Sequence, residues 1–133
     1  MNNLVKFAMI AATTVSPPAF AQKDFCAAID GAIVLNNDNE FIGSISSSFD
    51  SNSIFHEFGT YGNEYSSKSI WNEYGENGNE YGSNTAFNEY SSNPPRIIKD
   101  RTVIGYLTVN KYKKGAINPI MLGAMCYDFK PPR

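Results

Sequence analysis

The sequence predicts an α+β fold. In it a small antiparallel hairpin sheet frames a stack of short one-turn helices in 16-residue repeats, with one disulfide. Three observations lead there. A Tyr/Asn/Glu/Gly phrase recurs as Ser53–Gly59 (SIFHEFG), Ser69–Gly75 (SIWNEYG) and Thr85–Ser91 (TAFNEYS), each sixteen residues after the last. Two strand–turn–strand patterns flank that block and align with each other, Asp38–Ser46 (DNEFIGSIS) with Asp100–Thr108 (DRTVIGYLT). The only two cysteines, Cys26 and Cys126, lie on either side of all of this.

Residues 1–21 read as a signal peptide. Met1–Lys6 is polar with one lysine, Phe7–Val15 is a short apolar run, and Ala19-Phe20-Ala21 is an A-x-A cleavage site. An apolar run of nine is too short to span a bilayer, and no other stretch is long and apolar enough, so no membrane span is expected. Residues 22–133 then form a single mature domain of 112 residues, exported to the periplasm or the extracellular medium. In an oxidising compartment a cysteine pair is usually a disulfide, so a Cys26–Cys126 bridge is expected. Closing a loop of about 100 residues stabilises a fold by about 4–5 kcal/mol in the chain-entropy model.

Within the mature domain, residues 32–48 read as a first hairpin, with Ala32-Ile33-Val34-Leu35 as an apolar strand and Asn36–Glu40 as the turn. Residues 49–93 are the repeat block. Ser53, Ser69 and Thr85 are good helix N-caps, and Gly59 and Gly75 are natural left-handed stops. Between cap and stop there is room for little more than one helical turn, on which Phe55/Phe58, Trp71/Tyr74 and Phe87/Tyr90 would share a face. A lone turn is unstable in water, so such units must lean on one another. Residues 96–112 read as a second hairpin turning at Lys99–Thr102, and residues 119–127 as a terminal strand carrying Cys126 back toward Cys26. Pairing of the two hairpins would help both.

Charge is polarised along the chain. Between Asp30 and Pro95 there are ten acidic residues against Lys68 alone, whereas Arg96–Arg133 holds eight basic residues against two. Mutual neutralisation of two faces is the ordinary consequence, and nucleic acid is not an expected partner. The sole histidine, His56, stands where the later units have Asn72 and Asn88, which marks it as structural rather than catalytic. One histidine and two distant cysteines do not make a zinc site. The turn at Asn36–Glu40 offers oxygens for calcium around Asp38, but it lacks the glycine and distal glutamate of an EF-hand loop. No catalytic residue, cofactor or metal is therefore expected.

Beyond these residues, the order D-x-x-F-I-G-x-I-S, Y-G-N-E-Y-S-S-K-S-I-W-N-E-Y-G, N-P-P and I-G-Y-L-T-V-N-K-Y resembles a group of small exported bacterial proteins. Their repeats read Y-G-S-x-Y-S-x-x-S-x-W-N. The similarity spans about Ala32 to Tyr112. Asn77 stands where that pattern has Tyr, and Asn63 and Asn79 replace Ser. The resemblance implies an exported compartment and a repeat architecture, and it adds no catalytic residue.

The expected function is thus an exported, non-enzymatic structural or interaction protein in which the aromatic ladder is first of all core. The alternative is a module that binds a glycan, an envelope polymer or a cell-surface protein through Tyr61, Tyr65, Trp71, Tyr74 and Tyr81, since aromatic bodies with polar tips suit such surfaces.

Overall fold

The computed structural model describes residues 18–132. The expected signal peptide lies outside the described residues except for its last four, which open the first helix, α1 (Pro18–Ile29). After α1 come β1 (Ile33–Leu35), β2 (Phe41–Ser44), β3 (Arg96–Lys99), β4 (Thr102–Leu107), β5 (Ala116–Ile117) and a second helix, α2 (Pro119–Cys126). The strands form one sheet in the order β2-β1-β3-β4-β5.

Both expected hairpins are present and they pair with each other. β1 is antiparallel to β2 and to β3, with Val34 opposite Ile97, and β3 is antiparallel to β4. At the β3–β4 turn Asp100 and Arg101 both have positive φ, the two-residue geometry whose twist suits a hairpin. The first turn is organised by the buried Asn36, whose Oδ1 accepts from the amides of Asp38 and Glu40. The likeness of the hairpins extends to their glycines. A Cβ on Gly43 would lie 2.5 Å from Ile54, and one on Gly105 would lie 2.9 Å from Ile117. Each glycine lets the next segment pass close by in parallel, Ser53 beside Ser44 and β5 beside β4. The sheet is therefore mixed rather than purely antiparallel.

Two expectations fail here. The terminal strand over 119–127 is instead the helix α2. Asn118 caps it, its Oδ1 accepting from the amides of Ile120 and Met121, and Pro119 occupies the first turn where its missing N–H costs nothing. A short apolar run does not distinguish strand from buried helix by periodicity, whereas the Asn-Pro pair is a helix-start signal. Cys126 still returns to Cys26: the disulfide joins the two helices, with Cα atoms 5.4 Å apart and a sequence separation of 100.

The second failure concerns the repeat block. Among the described residues, 49–93 contain no helix; they are a run of hydrogen-bonded turns. Backbone carbonyls of Ser53, His56, Gly59, Asn63 and Ser66 accept in succession, followed by those of Ser69, Asn72, Gly75, Asn79 and Gly82. Steps of three, three, four, three and three residues reproduce the sixteen-residue period. Gly59 and Gly75 are not left-handed stops, because neither has a positive φ. The glycines that matter sterically are Gly62 and Gly78, whose Cβ atoms would fall 2.0 Å from the His56 carbonyl oxygen and 2.1 Å from that of Asn72.

The core gathers Val34, Ile42, Ile97 and Leu107 from the sheet, Ile29 and Leu122 from the helices, and Ile45, Ile54, Ile70 and Ala86 from the loops and turns. An aromatic group completes it. Phe55 and Trp71 lie 6.4 Å apart between ring centres, Trp71 and Phe87 5.5 Å, and Phe129 meets both Phe55 and Trp71 at 5.2 and 5.0 Å. Asp128, at φ 49, reverses the chain after α2 and delivers Phe129 to that group. Tyr127 stacks on Phe55 and donates its hydroxyl to Asp30; burial, then that hydrogen bond, pushes its pKa well above the ordinary tyrosine range.

Candidate functional site

From Ser53 onward, the turns sort the aromatic residues by the residue that begins each turn; before it, Ser47 leads the exposed Phe49. Where Ser53 or Ser69 leads, its hydroxyl accepts from the amide two residues on, and the ring at that position, Phe55 or Trp71, is buried. Where Asn63, Asn72, Asn79, Asn88 or Asn110 leads, Oδ1 accepts the same bond, and the ring is Tyr65, Tyr74, Tyr81, Tyr90 or Tyr112, each more than 80% exposed. The side-chain amide reaches the other way: Asn72 donates to the Ser66 carbonyl and Asn88 to that of Gly82, six residues back. A serine hydroxyl is small enough to be buried beside the core, and Ser53 also donates to the Ser46 carbonyl. The paired residues expected to share a face therefore point opposite ways. Trp71 is 1% exposed and Tyr74 88%, because the chain between them makes a turn rather than a helix.

His56 occupies the asparagine slot in the first unit. Its Nδ1 lies 2.8 Å from the Ser48 carbonyl oxygen, which can only accept, so Nδ1 carries the proton and donates. The histidine does an asparagine's work, and its contact is with the backbone of Ser48, not with that serine's hydroxyl.

Of the residues expected to bind, Tyr65, Tyr74 and Tyr81 stand on the outer face. Trp71 does not: it is core, with Nε1 donating to the Ile54 carbonyl. Tyr61 is half-buried and packs edge-on against Phe41 at 5.0 Å. Sixteen residues later Asn77 holds the equivalent place, buried, accepting from Asn36 and donating to the Lys68 carbonyl. That explains why a tyrosine is absent there: the ring's space faces the Asn36 turn. Phe49, Phe58, Tyr90 and Tyr112, which sequence reasoning missed, are exposed as well. Phe58, Tyr90 and Tyr112 share the legible signal, an aromatic two residues after His56 or an Asn.

A glutamate precedes the ring in five of these turns, and Glu57, Glu64, Glu73, Glu80 and Glu89 are all exposed. Each of these exposed rings thus has an exposed carboxylate next to it in the chain, and the Tyr90 hydroxyl is held above its usual pKa by its hydrogen bond to Glu89. Lys68 is paired at the surface with Glu40, 3.4 Å away, and lies 4.0 Å from Glu76. The Asn36 amide and then Lys68 hold the Glu40 carboxyl below the usual carboxylate range. Asp38 is exposed, and the Oδ1 of its neighbour Asn36 is taken up by two amides. Among the described residues no group of three or more His, Cys, Asp or Glu side chains is placed to hold a metal ion, and no helix is long and apolar enough to cross a membrane.

Where the first unit meets the segment after α2, an open cleft of about 480 Å³ is lined by Phe49, Phe55, His56, Glu57, Phe58 and Phe129, among others. Comparison with protein-family models, with curated proteins and with solved structures finds no match to this chain.

Proposed function

We propose that the chain is an exported, non-enzymatic binding scaffold whose sixteen-residue units stack as coils of turns and offer an outward comb of aromatic rings to a glycan polymer. The leader-like first 21 residues and a disulfide closing 100 residues support export. The stacking of coils is supported by ring contacts between residues sixteen apart and by the Trp71 indole donating to the Ile54 carbonyl of the preceding unit. A fourth segment joins the same order, since the Val109 amide donates to the Ala86 carbonyl and the Asn110 side chain to that of Ser91.

The observation that carries the binding role is the comb itself. Five tyrosines and Phe58 stand more than three-quarters exposed on turns whose geometry is fixed by side-chain hydrogen bonds. Rings set in water on fixed turns, with hydroxyls at their tips and only two side-chain torsions to order, give flat apolar faces for sugar rings at little entropic cost. The neighbouring glutamates offer acceptors to sugar hydroxyls and repel anionic polymers, so neutral or amine-bearing glycans are the matching class.

The test is co-sedimentation of the oxidised protein with insoluble neutral polysaccharides. Replacing Tyr65, Tyr74 and Tyr81 together by alanine is expected to abolish retention while leaving the melting temperature within a few degrees. Undiminished retention by this variant refutes the comb as the binding face.

A further inference from the structure

Along the chain, the exposed rings change character at one end of the turn block. In the asparagine-led turns the exposed ring is always tyrosine, but in the two turns bordering the 480 Å³ cleft it is phenylalanine, Phe49 at 93% and Phe58 at 80% exposure. Below them lie the rings of Phe55 and Phe129. Glu57, Asp128 and Lys130 also line this cleft, and none of the three forms a hydrogen bond or ion pair with another described residue. A second hollow of about 260 Å³ shares Glu57, Phe58, Phe129 and Lys130 and runs on to Glu64 and Tyr65, so the cleft opens onto the comb.

We infer that this cleft is the anchoring subsite of the comb, and that it takes an amine-bearing pyranose, a hexosamine unit. The inference rests on the glycan reading above. A pyranose presents a C–H face that a bare phenyl ring covers well, with polar groups around its edge. Phe49 and Phe58 supply such rings without hydroxyls that would prefer water. Around them Glu57, Glu64 and Asp128 outnumber Lys130, so the excess charge is negative and favours an ammonium over a carboxylate at the sugar's edge. Asp128 is held in place by the reversal that seats Phe129, so its carboxylate is presented by a fixed turn.

The experiment is calorimetric titration of the full oxidised chain with glucosamine tetramer, N-acetylglucosamine tetramer and tetragalacturonate. The free-amine tetramer is expected to bind at least about tenfold more tightly than the acetylated one, as loss of one charge-assisted hydrogen bond requires, and the acidic tetramer not at all. Phe58→Ala, and separately Glu57→Gln with Asp128→Asn, should each weaken the free-amine tetramer about tenfold or more, whereas Met121→Ala on α2 should not. All of these side chains are exposed, so folding is not at stake. Equal binding of the acetylated or acidic tetramer, or indifference to Phe58 and Glu57, overturns the subsite. If insoluble glycan still binds through Tyr65, Tyr74 and Tyr81 in that event, the comb stands without it; if no glycan binds, both fall. Tight binding of a lysine-rich peptide with the same variant dependence, and of no sugar, overturns the hexosamine assignment.

Discussion

Asn72 shows how much one side chain does in this fold. Its Oδ1 fixes the Tyr74 amide and its Nδ2 ties the turn to the Ser66 carbonyl, so it sets both where the ring points and where the chain came from. Alanine loses both bonds and leaves backbone groups in a half-buried turn without partners. Asn72→Ala is expected to cost about 1–3 kcal/mol in a urea melt. The neighbouring exposed Glu73→Ala should stay within about 0.5 kcal/mol. Equal effects at the two positions would contradict the structural role given to the asparagines. His56, in the asparagine slot, likewise ties its turn to an earlier backbone carbonyl, but to that of Ser48, eight residues back rather than six, and it makes no bond to the amide two residues on. The binding candidates were only partly legible. Tyr65, Tyr74 and Tyr81 follow an asparagine by two and face out, whereas Trp71 follows a serine by two and faces in. The leading residue separates these four, but Ser47 leads the exposed Phe49 in the same way, so neither the leading residue nor aromatic character alone discloses the direction.

At the scale of the elements, the hairpins were readable because strand, turn and strand appear twice with the same glycine. The repeat block was readable as a period but not as a conformation. Serine, asparagine and glycine signal a helix cap and stop as well as they signal consecutive turns. What separates the two cases is the distance between cap and stop, which here is little more than one turn. Gly78 tests the turn geometry. A methyl group there would meet the carbonyl oxygens of Asn72 and Ile70 at 2.1 and 2.6 Å, and backbone cannot swing aside as a side chain does. Gly78→Ala is therefore expected to destabilise by about 1–3 kcal/mol or more, although alanine is the better helix former. A neutral or stabilising substitution, read from the same melts, would favour a helical unit over the turn. The helix over Pro119–Cys126 was missed because its apolar run outweighed the Asn118-Pro119 start signal.

At the scale of the molecule, regular secondary structure among the described residues supplies only a frame: five short strands and two helices, the helices joined by the disulfide. The turn block contributes no helix or strand, yet Ile54, Phe55, Ile70, Trp71 and Ala86 from it are buried with the sheet and helix residues in one core. Alternate rings of the same phrase are thus placed oppositely, one set packed inward for stability and the other left in water, where the proposed recognition would fall to it. The central claim is that a few residues of one unit divide these two tasks, and Trp71 and Tyr74 place it under the most direct test. Chemical unfolding of the oxidised protein, followed by circular dichroism, should show Trp71→Ala losing about 3–5 kcal/mol and Tyr74→Ala losing no more than about 0.5 kcal/mol. Comparable losses at both positions, or a Trp71→Ala protein as stable as the parent, would contradict it.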